Sequence, residues 1–203
     1  SIHRPHPPEQ AGGGTFILLH GSDGSEASLM PIAALIAPDA TLIGVRGRST
    51  EEGIARWFRR FGPLSFDQAD IRAEAEAFAA FIEGAVEAYG LDLGSTVFMG
   101  YSNGANLLAA MMQLHPGLVR NAILLRATKV LEESPAADLS GTRILSLTGD
   151  HDLFGAHAPA LEDELRRQGA DLTARSVAAG HETGRHDIDA AANWLAETQT
   201  GRN

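Results

Sequence analysis

Several features that would define other classes of protein are missing from this chain of 203 residues. It has no cysteine, which excludes disulfide bonds, thiolate metal sites and a cysteine nucleophile, and which also removes the usual evidence about the redox compartment. No apolar run approaches the roughly 20 residues of a membrane span, so we expect no membrane insertion. Residues 1–5 lack the apolar core of a secretory signal, so either no export signal existed or it is absent from this sequence. We expect a cytoplasmic protein.

Positive charge is also scarce. The chain has 16 lysines and arginines against 26 aspartates and glutamates, which gives a net charge of −10. Nucleic acids and anionic membrane surfaces are polyanions, so this balance disfavours both as main partners. We expect no nucleic-acid partner.

Apolar, β-branched runs alternate along the chain with segments of helical periodicity, which is typical of a parallel sheet with crossover helices. We predict one α/β domain over residues 1–203, a three-layer sandwich with a mainly parallel sheet of about six to seven strands and minimal or no cap. Residues 1–14 form an extended lead-in with room for an edge strand. Strands are predicted at 15–19, 41–45, 96–100, 122–125, 143–147 and 172–177, and helices at about 28–36, 70–89, 103–114, 158–167 and 188–197.

Residues 49–66 follow neither the strand nor the helix period. Trp57 lies there between Arg56 and the pair Arg59 and Arg60. Aromatic side chains beside arginines suggest a nucleic-acid surface, but the acidic balance of the rest of the chain argues against one. We interpret the segment as a cap-like loop over a pocket.

The stretch Gly100-Tyr101-Ser102-Asn103-Gly104 places a serine between two glycines, after a predicted strand and before a predicted helix. This is the context of a G-x-S-x-G nucleophile elbow, in which a sharp turn strains the serine and exposes its hydroxyl at the edge of the sheet. The glycines are needed because a Cβ atom there would collide with the neighbouring strand and helix backbones. The pattern predicts a serine nucleophile.

A serine hydroxyl is a poor nucleophile at neutral pH, so Ser102 needs a general base, and the base needs an orienting acid. After this kind of elbow the expected chain order is Ser, then Asp or Glu, then His. Asp150 and Asp152 follow the strand at 143–147, and His181 follows the last predicted strand. The two aspartates are two residues apart, so an extended strand end would point both in one direction. We choose Asp152 as the acid and assign Asp150 to a turn or helix cap.

Each of these residues also has a simpler explanation. Ser102 fits an ordinary tight turn between a strand and a helix, and any histidine fits an exposed surface. The position of His181 after the last strand, next to Gly180, favours it over the alternatives. Those alternatives are His151, His157 and His186.

Attack on an acyl carbonyl creates an oxyanion, which needs two preorganised N–H donors. One is expected from the residue after the nucleophile, Asn103. The other is expected from the loop after the first predicted strand, where the glycine-rich turn at residues 20–24 lies. We assign this second donor to the amide of Ser22, although the turn is also consistent with a plain glycine turn.

With these residues in place, the sequence resembles the small α/β-hydrolase carboxylesterases of the phospholipase/carboxylesterase family, relatives of the acyl-protein thioesterases. It is most similar to the bacterial branch linked to hydroquinone resistance. The resemblance spans nearly the whole chain. It rests on LLHGSDGSE at the oxyanion turn, GVRGR after the second strand, RWFRR with SFDQADI, GYSNGAN at the elbow, AILLRA after it, and GHE at the histidine.

The resemblance implies an α/β-hydrolase fold and a serine carboxylesterase that hydrolyses short- to medium-chain esters with no metal and no organic cofactor. It supports the triad and oxyanion residues chosen above. It further implies that Arg46, Trp57 and Arg126 border the acyl or alcohol pocket. A homodimer is expected only by analogy with other members of the family.

Two other functions remain open at this point. The same triad would serve a thioesterase or lysophospholipase, because it acts on any activated acyl group. Alternatively, the chain could be a catalytically silent binding protein on the hydrolase fold, since a fold does not fix a function. The complete set of nucleophile, base, acid and oxyanion turn argues against the silent protein.

Overall fold

The computed structural model describes residues 3–6 and 13–200 of the chain. Residues 1–2 and 7–12 of the predicted lead-in lie outside the described residues. The strands are β1 (His3–His6), β2 (Thr15–Leu19), β3 (Thr41–Val45), β4 (Arg60–Gly62), β5 (Ser65–Phe66), β6 (Thr96–Tyr101), β7 (Asn121–Leu125), β8 (Arg143–Gly149) and β9 (Asp171–Val177). The helices are α1 (Met30–Ile36), α2 (Gln68–Tyr89), α3 (Asn103–Leu114), α4 (Ala158–Arg167) and α5 (Arg185–Thr200).

Seven of the strands form one sheet in the order β1-β3-β2-β6-β7-β8-β9. Six of these strands run parallel to one another, namely β3, β2, β6, β7, β8 and β9. Strand β1 pairs antiparallel with β3 at one edge. This is the predicted mainly parallel sheet, with the edge strand inside the lead-in. Because parallel strands end on the same side, the loops after β2, β6, β7, β8 and β9 meet along one edge.

The sheet is covered by helices on both faces, which explains why its strands read as continuous apolar runs. Alternate residues of each strand point to opposite faces. In β2, for example, Ile17 and Leu19 join one buried cluster and Phe16 and Leu18 join the other. The first cluster contains residues of α2, α3 and α4, and the second contains residues of α1 and α5. The result is a three-layer α/β sandwich.

Helix α2 has clear signals at both ends. The Asp67 side chain accepts hydrogen bonds from the amides of Ala69 and Asp70 at the first turn, and the Asp70 amide is the main reason that the pKa of Asp67 is lowered. Gly90 ends the helix in the left-handed conformation, with φ of 63°, as its sequence position predicts.

The segment at residues 49–66 is more ordered than a plain loop. It contains a short 3-10 turn and the hairpin of β4 and β5, and Trp57 and Phe58 are buried in the core. Strands of three and two residues are too short to show a period, so the sequence pattern missed them. Two of the segment's arginines have partners or are shielded: Arg56 is buried, and Arg59 pairs with Asp67 and Glu51.

Across the described ranges, none of the helices combines the length and the apolar character needed to cross a bilayer.

Candidate active site

Ser102 occupies a strained turn between β6 and α3. Its φ of 50° and ψ of −115° lie in a region that side-chain-bearing residues rarely adopt. Both flanking glycines are required by close contacts. A Cβ on Gly100 would lie 2.7 Å from the Cα of Ala105, and one on Gly104 would lie 2.3 Å from the carbonyl oxygen of Leu19. The stretch therefore has the geometry predicted for a nucleophile elbow.

Three side chains from the carboxyl ends of different strands lie in a hydrogen-bonded series. Ser102 Oγ is 2.9 Å from His181 Nε2, and His181 Nδ1 is 2.9 Å from Asp152 Oδ2. A carboxylate only accepts hydrogen bonds, so Nδ1 carries the proton and Nε2 is free to accept from the serine hydroxyl. The Asp152 side chain is 3% exposed, whereas that of His181 is 37% exposed. The imidazole can therefore reach both its buried acid and an incoming ligand.

The structure separates the two candidate acids. Asp150 does not contact the His181 imidazole; its Oδ1 accepts from the amide of Ala179, at 3.2 Å, in the loop that carries His181. Strand β8 ends at Gly149, and the chain then turns, with the Asp152 amide donating to the Gly149 carbonyl at 3.1 Å. The turn directs the two carboxylates to different partners. The Asp150 carboxylate thus bonds to the backbone of the loop that carries His181 and not to its imidazole.

The turn after β2 lies directly against the elbow. His20 Nδ1 donates to the carbonyl of Gly21 at 2.6 Å, and His20 Nε2 accepts from the amide of Gly47 at 3.0 Å. In a trans peptide the C=O and N–H groups point in opposite directions, so fixing the Gly21 carbonyl also fixes the amide of Ser22. Neither this amide nor that of Asn103 is hydrogen-bonded to another described residue, which leaves both able to receive a ligand oxygen.

This arrangement needs His20 to stay neutral, because its Nε2 must accept a hydrogen bond. Burial is the main cause that lowers the pKa of His20 below the ordinary 6.5. The charged groups facing it are Arg46, which lowers the pKa further, and Glu26, which opposes that shift.

We expect the free energy of unfolding to fall as the pH drops below 6.5, the ordinary pKa of His20. The unfolded chain takes up a proton there that the folded protein resists, so the stabilisation is present above this pH and is lost below it. Chemical denaturation of wild type and His20→Gln between neutral and mildly acidic pH measures the effect. An equal loss in both proteins would assign the pH dependence to other groups.

Two of the residues expected around the pocket lie beside this turn. Trp57 donates from Nε1 to the carbonyl of His20 and from its amide to Oδ1 of Asn103, each at 2.8 Å. Trp57 is only 3% exposed, and its two bonds join the segment at residues 49–66 to the elbow. Arg46 is exposed and pairs with Glu26 at 2.6 Å. Its place in a substrate pocket stays a prediction.

The expectation that Arg126 borders the substrate pocket needs correction. Its side chain is fully buried and pairs with Asp187, whose side chain is also fully buried. The guanidinium donates to backbone carbonyls of the loop that carries His181, namely those of Gly180 and Glu182. A buried group with these partners cannot be presented to a ligand.

Two aromatic residues around His181 were not predicted from the sequence. Tyr101, in the elbow itself, donates from its hydroxyl to the His181 carbonyl at 3.0 Å. Burial is the main cause that raises the pKa of Tyr101, so it stays a neutral donor. The Phe154 ring stands edge-on to the imidazole with 5.5 Å between centroids, and Leu153 beside it is 92% exposed. In the sequence, the one indication for Tyr101 is that it occupies the variable position of the G-x-S-x-G pattern just before the serine.

A cavity of about 470 Å³ lies at the other end of the sheet and includes none of these residues. Open parallel sheets bind ligands at the carboxyl ends of their strands, so we place the active site at the elbow. The cavity is lined by residues such as Gly14, Asn121, Arg143 and Trp194. Within residues 3–6 and 13–200, no group of three or more His, Cys, Asp or Glu side chains is arranged to hold a metal ion.

The fold and the arrangement of Ser102, His181 and Asp152 define the class as an α/β-hydrolase. No family model matches the sequence. The chain is 30% identical over 184 residues to MhqD of Bacillus subtilis (strain 168), a protein named as a hydrolase, and the match covers 90% of this chain and 92% of that protein. The chain belongs to the phospholipase/carboxylesterase family of small α/β-hydrolases.

Solved structures agree with this family. A carboxylesterase from Mesorhizobium loti is 45% identical, with a TM-score of 0.92 over 96% of this chain and 93% of that one. The carboxylesterase of Bacillus cereus is 26% identical, with a TM-score of 0.90 over the same shares of the two chains, 96% and 93%. Both matches extend over nearly the full length described above.

Proposed function

We propose that this ester hydrolase is a serine carboxylesterase that cleaves short- to medium-chain carboxylic esters through an acyl-enzyme on Ser102. The observation that carries the proposal is the continuous hydrogen-bonded series from Ser102 Oγ through the His181 imidazole to the buried Asp152 carboxylate. Such a series supplies a nucleophile, a general base and an orienting acid in one place.

The reaction has two halves. Ser102 Oγ attacks the ester carbonyl carbon while His181 Nε2 takes the hydroxyl proton, and the same proton is then given to the leaving alkoxide. This releases the alcohol and leaves the acyl group on Ser102. A water molecule, deprotonated by His181, next attacks the acyl carbon, and the acid leaves as Ser102 recovers its proton. Asp152 keeps the proton on Nδ1 throughout and stabilises the imidazolium.

The carbonyl oxygen becomes negatively charged during the attack and accepts hydrogen bonds from the amides of Ser22 and Asn103. Both are unpaired within the described chain, and the Ser22 amide is held by the His20 hydrogen bond to the preceding peptide. Donors fixed before the reaction need no reorganisation in the transition state, which is why such sites accelerate acyl transfer. No metal or organic cofactor has a step in this mechanism.

Exposed apolar surface beside the imidazole favours substrates with an apolar acyl or alcohol group. Leu153 is 92% exposed and Phe154 39% exposed, next in sequence to the acid that holds His181. The same surface would serve a thioesterase or lysophospholipase, which is the second candidate. The cytoplasmic location and the homodimer stay predictions from the sequence.

A fluorophosphonate probe combined with a substrate panel tests the proposal. We expect the probe to label the folded protein once, on the peptide containing Ser102, because the oxyanion site and the base activate this one hydroxyl. Labelled peptides are identified by mass spectrometry. Folded protein without label would favour the silent binding protein instead.

The panel compares p-nitrophenyl acetate, butyrate, octanoate and palmitate with the butyryl thioester. We expect kcat/KM to be highest for the short and medium oxygen esters. A maximum at palmitate, or a preference for the thioester, would favour the thioesterase or lysophospholipase alternative.

A further inference from the structure

We propose that Arg126 and Asp187 act as a positioning pair that holds His181 in line between Ser102 and Asp152. The proposal rests on the function proposed above. Neither residue touches the reacting atoms, so neither is a catalytic residue.

Arg126 fixes the backbone on both sides of His181. Its Nε donates to the carbonyl of Gly180 at 2.9 Å, and its Nη2 donates to the carbonyl of Glu182 at 2.7 Å. The carbonyl of His181 itself accepts from the Tyr101 hydroxyl. Three successive carbonyls are therefore held by groups at the ends of β6 and β7. A backbone restrained in this way leaves the imidazole little freedom to shift.

Asp187 completes the arrangement by holding the guanidinium. Its two carboxylate oxygens lie 2.8 Å and 3.1 Å from Nη1 and Nη2 of Arg126, and Oδ2 also accepts from the amide of Gly184 at 2.9 Å. Nη1 donates in addition to the carbonyl of Leu147 in β8, at 3.3 Å. The pair thus connects the strand that leads to Asp152 with both ends of the loop that carries His181.

The backbone at Arg126, like that at Ser102, has a positive φ. Its φ is 58°, in the left-handed region that residues other than glycine avoid. Strands β6 and β7 are neighbours, and the Ser102 amide donates to the Leu125 carbonyl at 2.8 Å. Strained residues of this kind cluster at functional sites. From this position the Arg126 side chain reaches the His181 loop, where it donates to the carbonyls of Gly180 and Glu182.

A role in stability alone does not account for these contacts. Buried ion pairs are weak contributors to stability, because desolvation of the charges offsets their attraction. Charge alone would also be satisfied by a lysine. What the contacts require is the planar fork of the guanidinium, which reaches two carbonyls and a carboxylate at once.

The substitution Arg126→Lys separates the two roles, because it keeps the buried charge opposite Asp187 but removes the fork. We expect the folded protein to lose about 100-fold in kcat for p-nitrophenyl butyrate, the scale of a small misplacement of catalytic groups. KM should stay nearly constant. The downfield proton resonance of His181 Nδ1–H, a direct report of its bond to Asp152, should broaden or disappear.

Arg175→Lys is the matched control. Arg175 in β9 makes a similar two-oxygen contact with Glu197, at 2.9 Å and 3.1 Å, but it has no contact with the His181 loop among the described residues. This variant should keep the kcat and the proton resonance of wild type. If Arg126→Lys behaves as Arg175→Lys does, the positioning role is overturned.

A second variant covers the case in which Arg126→Lys does not fold. Replacing the pair together, by Arg126→Met with Asp187→Leu, leaves no unpaired buried charge. A folded double variant with reduced kcat and a lost resonance supports the proposal. A folded one with wild-type values overturns it, and so does failure of both variants to fold, since the pair would then be structural. The resonance needs no turnover, so an inactive wild type would contradict the proposed function without affecting this comparison.

Discussion

Replacing Ser102 with alanine should reduce the turnover of p-nitrophenyl butyrate about a million-fold, the loss seen when a catalytic triad that acts as a unit is broken. The alanine removes the oxygen that carries the acyl group in the proposed mechanism, and it leaves His181 with no hydroxyl to deprotonate at that position. The residual rate reflects the oxyanion donors and substrate binding alone. Initial rates measured at saturating substrate, together with loss of fluorophosphonate labelling, test this result.

A serine at the opposite end of β6 provides the control. Ser95 precedes the amino end of β6, is exposed, and donates from its hydroxyl to the carbonyl of Asp92. Ser95→Ala should leave ester turnover unchanged. If Ser102→Ala keeps more than a small fraction of wild-type activity while it remains folded, the acyl group is carried elsewhere and the proposed mechanism is wrong.

Replacing Asp152 with asparagine should reduce kcat by on the order of ten-thousand-fold, as in serine proteases with the same change. The asparagine amide is nearly isosteric, but it can donate a hydrogen bond to Nδ1 and so favours the tautomer that places the proton on Nε2. That nitrogen could then no longer accept the proton of Ser102. Steady-state kinetics at a single neutral pH measure the loss.

Asp150→Asn is the paired comparison for this substitution. The asparagine oxygen can still accept from the amide of Ala179, so the loop should be retained and kcat should change only a few-fold. The reverse result, with the larger loss at Asp150, would transfer the role of the acid to that residue and would require the loop to rearrange in solution.

The sequence could not decide which of these two aspartates orients His181. The order of nucleophile, acid and histidine along the chain limited the acid to Asp150 or Asp152, because the carboxyl ends of parallel strands meet at one edge. Pattern alone could not separate residues two apart on a strand that was taken to be extended. The strand ends at Gly149, and the turn that follows sends the two carboxylates in different directions.

The prediction that Arg126 borders the substrate pocket was wrong for a related reason. Arg126 follows a strand at the edge that carries Ser102 and His181, but its backbone has a positive φ and its side chain pairs with Asp187, which lies 61 residues further along the chain. Neither is visible in a local pattern. The hairpin of β4 and β5 was missed because its strands are too short to show a period.

The sequence by itself determined the alternation of strands and helices, the elbow at Ser102 and the histidine after the last strand. These depend on short-range requirements: the burial of apolar side chains at a fixed period and glycines where a Cβ atom would collide. Tertiary structure alone decided which carboxylate meets His181 and which residues hold its loop. Such choices depend on hydrogen bonds between residues far apart in the chain, and their geometry exists only once the strands are side by side.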